Sequence, residues 1–215
     1  MPVDTEGISC CFDQESQQRL DDYRREGLGE TSTAIVEGLV GRGLAGATVL
    51  ELGCGVGGLL LELLHKGAAS AVGVDLSPKV IQLAQALASE AGLSASVSFE
   101  VGDGAVLELK KSDVVILDAV FCCYPNFATL LANSSSAAGK YYAFAVPDDS
   151  RFATRLLMPL LPLQRLFSRR SGFRFFIHPT RRIAETLEAK GFRKVSRTPL
   201  GWMWSAFLFA APGSN

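Results

Sequence analysis

The residues of this 215-residue chain whose types and spacing could do chemistry begin with Glu51-Leu52-Gly53-Cys54-Gly55-Val56-Gly57. Three glycines at alternate positions let the backbone turn sharply and let a ligand come close to the main chain. A helix starting there turns its free N–H groups toward whatever binds. A bare G-x-G-x-G belongs equally to nicotinamide, flavin and other nucleotide-cofactor proteins. The acid at 51 shifts the balance, because a pyrophosphate gains nothing from a neighbouring carboxylate whereas a zwitterionic amino-acid group can use one. Asp75, about 20 residues further on, stands where an acid grips ribose hydroxyls in either class. Asp103, in Val101-Gly102-Asp103-Gly104, is placed to accept from an adenine amino group. Asp118 is a fourth acid. Any one of them is more often a helix cap or a solvated side chain, but acids ending several consecutive strands are harder to explain that way.

The elements needed to hold these residues can be read around them. Ala47–Leu52 is a short apolar run that stops at glycine, as a buried strand does. Val56 to Lys66 follows as a helix closed by Gly67. Ala71–Asp75 is the next strand, and Ser77-Pro78 opens a helix with a cap and a proline at its first position, ending near Gly92. Ser96–Val101 alternates like a strand, Asp113–Leu117 is an apolar one ending at Asp118, and Tyr141–Val146 is a fifth. A helix is expected from Pro125 to about Asn133. Upstream, helices are expected from Asp13 to Glu26 and from Thr31 to Arg42, the second opening on a Thr/Ser cap. Downstream, a helix from Thr180 to Lys190 precedes strands 192–198 and 204–210, joined by Pro199-Leu200-Gly201 as an antiparallel pair. Strands alternating with helices of this length mean an α/β fold, doubly wound, with helices on both faces of a mostly parallel sheet.

Over about residues 47–146 the sequence resembles the class I methyltransferase superfamily. Val49–Gly58 is similar to its first motif and Gly73-Val74-Asp75-Leu76-Ser77-Pro78 to its second. Gly102-Asp103-Gly104 and Val115-Ile116-Leu117-Asp118 stand in its third and fourth positions. The resemblance implies a seven-stranded sheet with an antiparallel C-terminal strand and S-adenosylmethionine as cofactor, with S-adenosylhomocysteine as product. It implies that Asp75 binds ribose, Leu76 packs on adenine, Asp103 contacts adenine, and Gly53 and Gly55 hold the methionine part. Asp118 would lie next to the donor methyl. Glu51, Cys54, Gly57, Gly104 and Tyr23 complete the expected cofactor contacts. One domain is expected: a helical cap at 1–46, a cofactor-binding core at 47–146, a basic apolar insertion or lid at 147–180, and a helix with a strand pair at 181–215.

Methyl transfer is a displacement at carbon, in which the protein mainly aligns donor and acceptor. A general base is needed only for an acceptor that is a poor nucleophile when protonated. The acceptor-side candidates are Cys122 and Tyr124, in Phe121-Cys122-Cys123-Tyr124-Pro125-Asn126, and His178, for which a structural role is about as good a reading. His65, in the last turn of its helix, reads as a complement to the helix end. The loop and the following basic segment are similar to methyltransferases acting on magnesium protoporphyrin, which carry a histidine before the Tyr-Pro pair where this chain has Cys122-Cys123. Convergence of those thiols with Cys10-Cys11 on a thiophilic metal or metalloid is a minority reading, since buried cysteines are usually apolar fillers. No metal site is expected.

Residues 150–182 hold eight arginines and no acid, interleaved with leucines and phenylalanines. Such a segment reads as a lid over an anionic, apolar small-molecule acceptor. Contact with a membrane surface is not favoured, because Pro159 and Pro162 interrupt any long amphipathic helix. A formal net charge of −1 gives no global reason to expect nucleic acid, and the Asp118 loop lacks the Asn/Asp-Pro-Pro-aromatic pattern used on flipped bases. The polar N-terminus and the odd cysteine count point to a reduced, cytoplasmic protein. A nicotinamide-dependent reductase is disfavoured by the lack of a Tyr-x-x-x-Lys pair. A catalytically weak cofactor-binding module is the non-enzymatic alternative.

Overall fold

The computed structural model describes residues 5–157 and 175–214. The middle of the arginine-rich segment therefore lies outside the described residues, as do the side chains of Cys10 and Cys11, so their convergence with Cys122-Cys123 falls outside them too.

Seven strands form one sheet: β1 (Thr48–Leu52), β2 (Ser70–Asp75), β3 (Val97–Val101), β4 (Ser112–Asp118), β5 (Ala138–Pro147), β6 (Arg193–Leu200) and β7 (Trp204–Ala210). Their order across the sheet is β3-β2-β1-β4-β5-β7-β6. All pairings among β1 to β5 are parallel, and β7 runs antiparallel to both β5 and β6. This is the expected seven-stranded sheet with its antiparallel C-terminal strand. Central strands buried on both faces must be apolar throughout, which explains Val114 to Leu117, none of them exposed. Phe144 at the middle of β5 stacks on Phe207 of β7, with centroids 4.9 Å apart.

Among the described residues there are seven α-helices: α1 (Thr5–Glu26), α2 (Glu30–Leu39), α3 (Gly58–His65), α4 (Pro78–Glu90), α5 (Phe127–Ala137), α6 (Phe152–Leu157) and α7 (Thr180–Ala189). α3 is apolar nearly all round because it is buried almost completely. The Ser77 cap of α4 is as expected, its hydroxyl accepting from Val80 N at 3.0 Å. The expected Thr/Ser cap of α2 is not formed. Gly29 stands at that position without a side-chain bond, because the helix starts at Glu30, one residue before the expected Thr31.

Several boundaries move, two of them most clearly. α1 begins at Thr5 rather than Asp13. α5 starts two residues after Pro125, behind a single 3-10 turn at Phe121–Cys123, and continues through three serines to Ala137. The serines stay helical because their hydroxyls bond within the turn below. Ser134 Oγ donates to Leu130 O at 2.7 Å, and its oxygen lies 2.7 Å from the buried Tyr142 hydroxyl.

Candidate active site

Strand order reverses between β1 and β4, so the loops after those strands diverge and leave a crevice at their C-terminal ends. A cleft of about 850 Å³, open mouth included, occupies that place. Its walls bring together Gly53, Gly55, Asp75, Leu76, Asp103, Gly104 and Asp118 from the expected set, with Arg19 reaching in from α1.

The glycine turn is held from behind. The amides of Gly53 and Cys54 both donate to Val74 O, at 2.7 and 3.1 Å. Gly53 and Gly55 have φ of +68° and +54°, the left-handed region that favours glycine. A Cβ at Gly53 would lie 2.5 Å from Val120 Cγ2, whereas one at Gly55 would meet nothing within 4 Å. The space before Gly55 belongs to the cleft.

Asp75 does more than its position at a strand end suggested. Its two carboxylate oxygens accept from Gly55 N at 3.1 Å and Ser77 N at 3.0 Å, tying the glycine turn to the start of α4. Burial pushes its carboxyl upward, while those amides and Arg19 pull the other way. Asp103 accepts from Ala105 N at 2.9 Å and from the Tyr124 hydroxyl at 2.8 Å. Tyr124 is thus bound to Asp103, and burial with that carboxylate raises its phenol.

Asp118 accepts from Ser32 Oγ at 2.5 Å through Oδ2, while its Oδ1 is buried without a partner. Glu51 is 3% exposed and its Oε2 likewise has no donor. Burial first, then Asp118 and Asp75, drive the Glu51 carboxyl well above its usual range. Burial raises Asp118 as well, against the Ser32 and Thr31 hydroxyls. Acceptor-only oxygens buried without donors are expensive. They suit a ligand that brings positive charge and N–H or O–H groups, and a sulfonium joined to an amino acid, a ribose and an adenine has all of these. The residues present fit S-adenosylmethionine.

Several expected residues, Glu51 among them, do not line the cleft. Cys54 is buried, and the Cβ that Gly73 lacks would fall 2.8 Å from its sulfur. Gly57 backs onto Phe99, and Tyr23 packs across Gly58 at the start of α3. Cys122 is buried in the 3-10 turn, while Cys123 beside it lines the cleft. His178 is a strut. Its Nε2 lies 2.8 Å from Tyr124 O, and a carbonyl can only accept, so that nitrogen carries the proton. Its ring packs against Phe127 and Phe176, and burial lowers its pKa against the pull of nearby carbonyls. Among the described residues no group of three or more His, Cys, Asp or Glu side chains could hold a metal ion. The metalloid reading therefore gains no support. No helix among them is long and apolar enough to cross a membrane.

Two features carried no signal of their own in the sequence. Ser32 grips Asp118 from 86 residues away, and a lone serine in a helix has nothing to mark it. Ala119, the residue after Asp118, has φ of +57°, an uncommon conformation for a residue with a side chain. Such strain gathers at functional sites.

A parallel sheet of this order, with a glycine turn after the first strand and acids after the next three, defines the Rossmann-like class I of S-adenosylmethionine-dependent methyltransferases. Residues 44–156, more than half of the chain, match the family model described as a methyltransferase domain, and the chain belongs to that family. Among curated relatives, ribosomal protein L11 methyltransferase of Deinococcus radiodurans is 32% identical over 148 residues, which are 66% of this chain and 50% of that protein. A probable chloroplastic tocopherol O-methyltransferase of Oryza sativa subsp. japonica is 46% identical over 56 residues, 26% of this chain and 16% of that protein. The chain spans about half the length, or less, of these relatives. Magnesium protoporphyrin IX methyltransferase from Synechocystis PCC 6803, solved with SAH bound, superposes with a TM-score of 0.72 at 23% identity, covering 94% of this chain and 98% of that one. At that identity the similarity establishes the fold.

Proposed function

We propose that this protein transfers the methyl group of S-adenosylmethionine to a small, apolar, anionic acceptor. The observation that carries the reading is the row Asp75, Asp103 and Asp118 on the rim of one cleft, facing the open space before Gly55. Gly53 and Gly55 would hold the methionine part, Asp75 the ribose, and Asp103, steadied by Tyr124, the adenine amine. The cofactor supplies an activated methyl on a good leaving group. The chain's own part is to bind, orient and exclude water. Glu51 and Asp118 offer buried carboxyls, raised in the ligand-free protein, whose ionisation a cationic ligand would favour more than its neutral product would.

The acceptor end lies beyond Asp118, where Cys123 lines the cleft. Phe152, Leu156 and Trp202 are large apolar side chains left exposed on α6 and on the turn between β6 and β7. Arg151 ties the two together, donating to Gly201 O at 2.6 Å and to Trp202 O at 3.2 Å. This surface leads into the arginine-rich segment, which we read as a lid for an apolar anion. A carboxylate, phenolate or thiolate acceptor is already nucleophilic and asks for no strong base. His178, held through Nε2, orients the loop that carries Tyr124.

The direct test is methyl transfer from labelled S-adenosylmethionine to a panel of planar apolar carboxylates, phenols and thiols. Turnover with an anionic aromatic member at well above the rate with its neutral amide or ether analogue is the expected result. Binding of S-adenosylhomocysteine without turnover of any member would favour the cofactor-binding module instead.

A further inference from the structure

Cys122 and Cys123 follow each other directly, and their sulfurs lie 3.8 Å apart. Both thiols also face one acceptor, Ala119 O, at 3.1 Å from Cys122 Sγ and 3.5 Å from Cys123 Sγ. Ala119 is the left-handed residue that follows Asp118. The two thiols thus close the turn that carries the chain from β4 past the reacting end of the cleft. They differ in access: Cys122 is 3% exposed, whereas Cys123 is partly open and lines the cleft. Neither the fold nor methyl transfer needs adjacent thiols here, since one small apolar residue would fill the Cys122 site.

We propose that Cys122 and Cys123 form a reversible redox-modification site, in which peroxide converts the pair to a vicinal disulfide that weakens cofactor binding. Cys123 is the attacking thiol. Its bond from Cys122 and the Arg19 guanidinium hold it below the usual thiol range, while its neighbour is pushed above by the same contact. The Cys123 thiolate attacks one oxygen of hydrogen peroxide, the O–O bond breaks, and hydroxide leaves, giving a sulfenic acid. The Cys122 sulfur then attacks that sulfur, the S–S bond forms, and the S–O bond breaks. The Cys122 proton goes to the departing hydroxide, so two thiols lose two electrons and one peroxide becomes two waters.

Ring closure consumes both thiol protons and with them both contacts to Ala119 O. It also draws the two sulfurs from 3.8 Å to a bond of about 2.05 Å, which re-shapes the turn beside Asp118. A strained disulfide is an oxidising one, so cellular dithiols would reopen it. The chemistry of the pair stands apart from the acceptor reading. Only its effect on binding rests on the assignment of the cleft to S-adenosylmethionine.

The test treats the full chain with hydrogen peroxide, maps the thiols by mass spectrometry after alkylation, and titrates S-adenosylhomocysteine before and after. The expected result is a loss of two mass units in the peptide carrying Cys122 and Cys123, with at least tenfold weaker binding that dithiothreitol restores. The C10S/C11S double variant should respond like the parent, and C123S should neither form the linkage nor lose affinity on oxidation. Recovery of residues 122 and 123 as two separately alkylated thiols would overturn the proposal, and so would a disulfide that leaves affinity unchanged. Absence of binding even in the reduced protein, with the linkage still formed, would instead count against the cofactor assignment and leave the modification site standing.

Discussion

Ser32 Oγ donates to Asp118 Oδ2 at 2.5 Å, joining the first turn of α2 to the end of β4, while Asp118 Oδ1 is buried without a hydrogen-bond partner. A carboxylate held by one oxygen has a fixed direction for the other. α2 lies before the stretch that matches the family model, so a segment outside that stretch helps set the geometry at Asp118.

Ser32→Ala should therefore lower kcat/KM about tenfold, since hydrogen bonds to charged groups contribute ~1.5–3 kcal/mol. Ser32→Thr should restore most of it. Steady-state kinetics of both variants check this. Equal activity in all three proteins would mean that the Ser32 bond does not place Asp118.

Gly55→Ala and Gly53→Ala should separate binding from folding. The left-handed φ costs either variant about 1–2 kcal/mol, but only Gly53 has a wall behind it, with Val120 Cγ2 2.5 Å from the added carbon. Gly55→Ala should stay folded and bind S-adenosylhomocysteine at least tenfold more weakly. Gly53→Ala should lose several degrees more in melting temperature. Thermal unfolding alongside calorimetric titration distinguishes them, and unchanged affinity in Gly55→Ala would show that the cleft is not where the ligand lies.

Much of this arrangement is legible in the sequence, for physical reasons. The doubly wound sheet follows from apolar runs ending at glycine or aspartate, and the acids at 75, 103 and 118 mark the strand ends that meet in the cleft. Contacts between elements far apart in the chain are not legible. Ser32 with Asp118 and Tyr124 with Asp103 depend on how helices pack, which no local pattern records. Cys54 sits inside the motif yet is buried between two cleft-lining glycines, and Gly57 backs onto Phe99. His178 follows an aromatic run as an active-site histidine might, and only the Tyr124 carbonyl beside it reveals the strut.

The acids should give the ligand-free protein an inverted pH profile. Burial raises Glu51, Asp75 and Asp118. A carboxyl raised in the folded state contributes stability that is fully present below its unfolded pKa, about 4, and is lost as pH rises through the folded value. Stability should thus fall across the acidic range above pH ~4. Asp113, lowered chiefly by the Thr48 amide, acts in the opposite sense and only at lower pH. Glu51→Gln should flatten the profile, raise the neutral-pH melting temperature by about 2–4 °C, and weaken binding of the cationic donor more than of its neutral product. A variant that melts lower with an unchanged slope would make Glu51 a structural anchor instead.

The most direct measurement is a calorimetric titration of the reduced protein with S-adenosylhomocysteine. The expected result is one site per chain with a Kd of about 1–100 μM, at least tenfold weaker in Asp75→Asn. No heat of binding at millimolar ligand, from a protein that still melts cooperatively, would contradict the assignment of this cleft and with it the proposed methyl transfer.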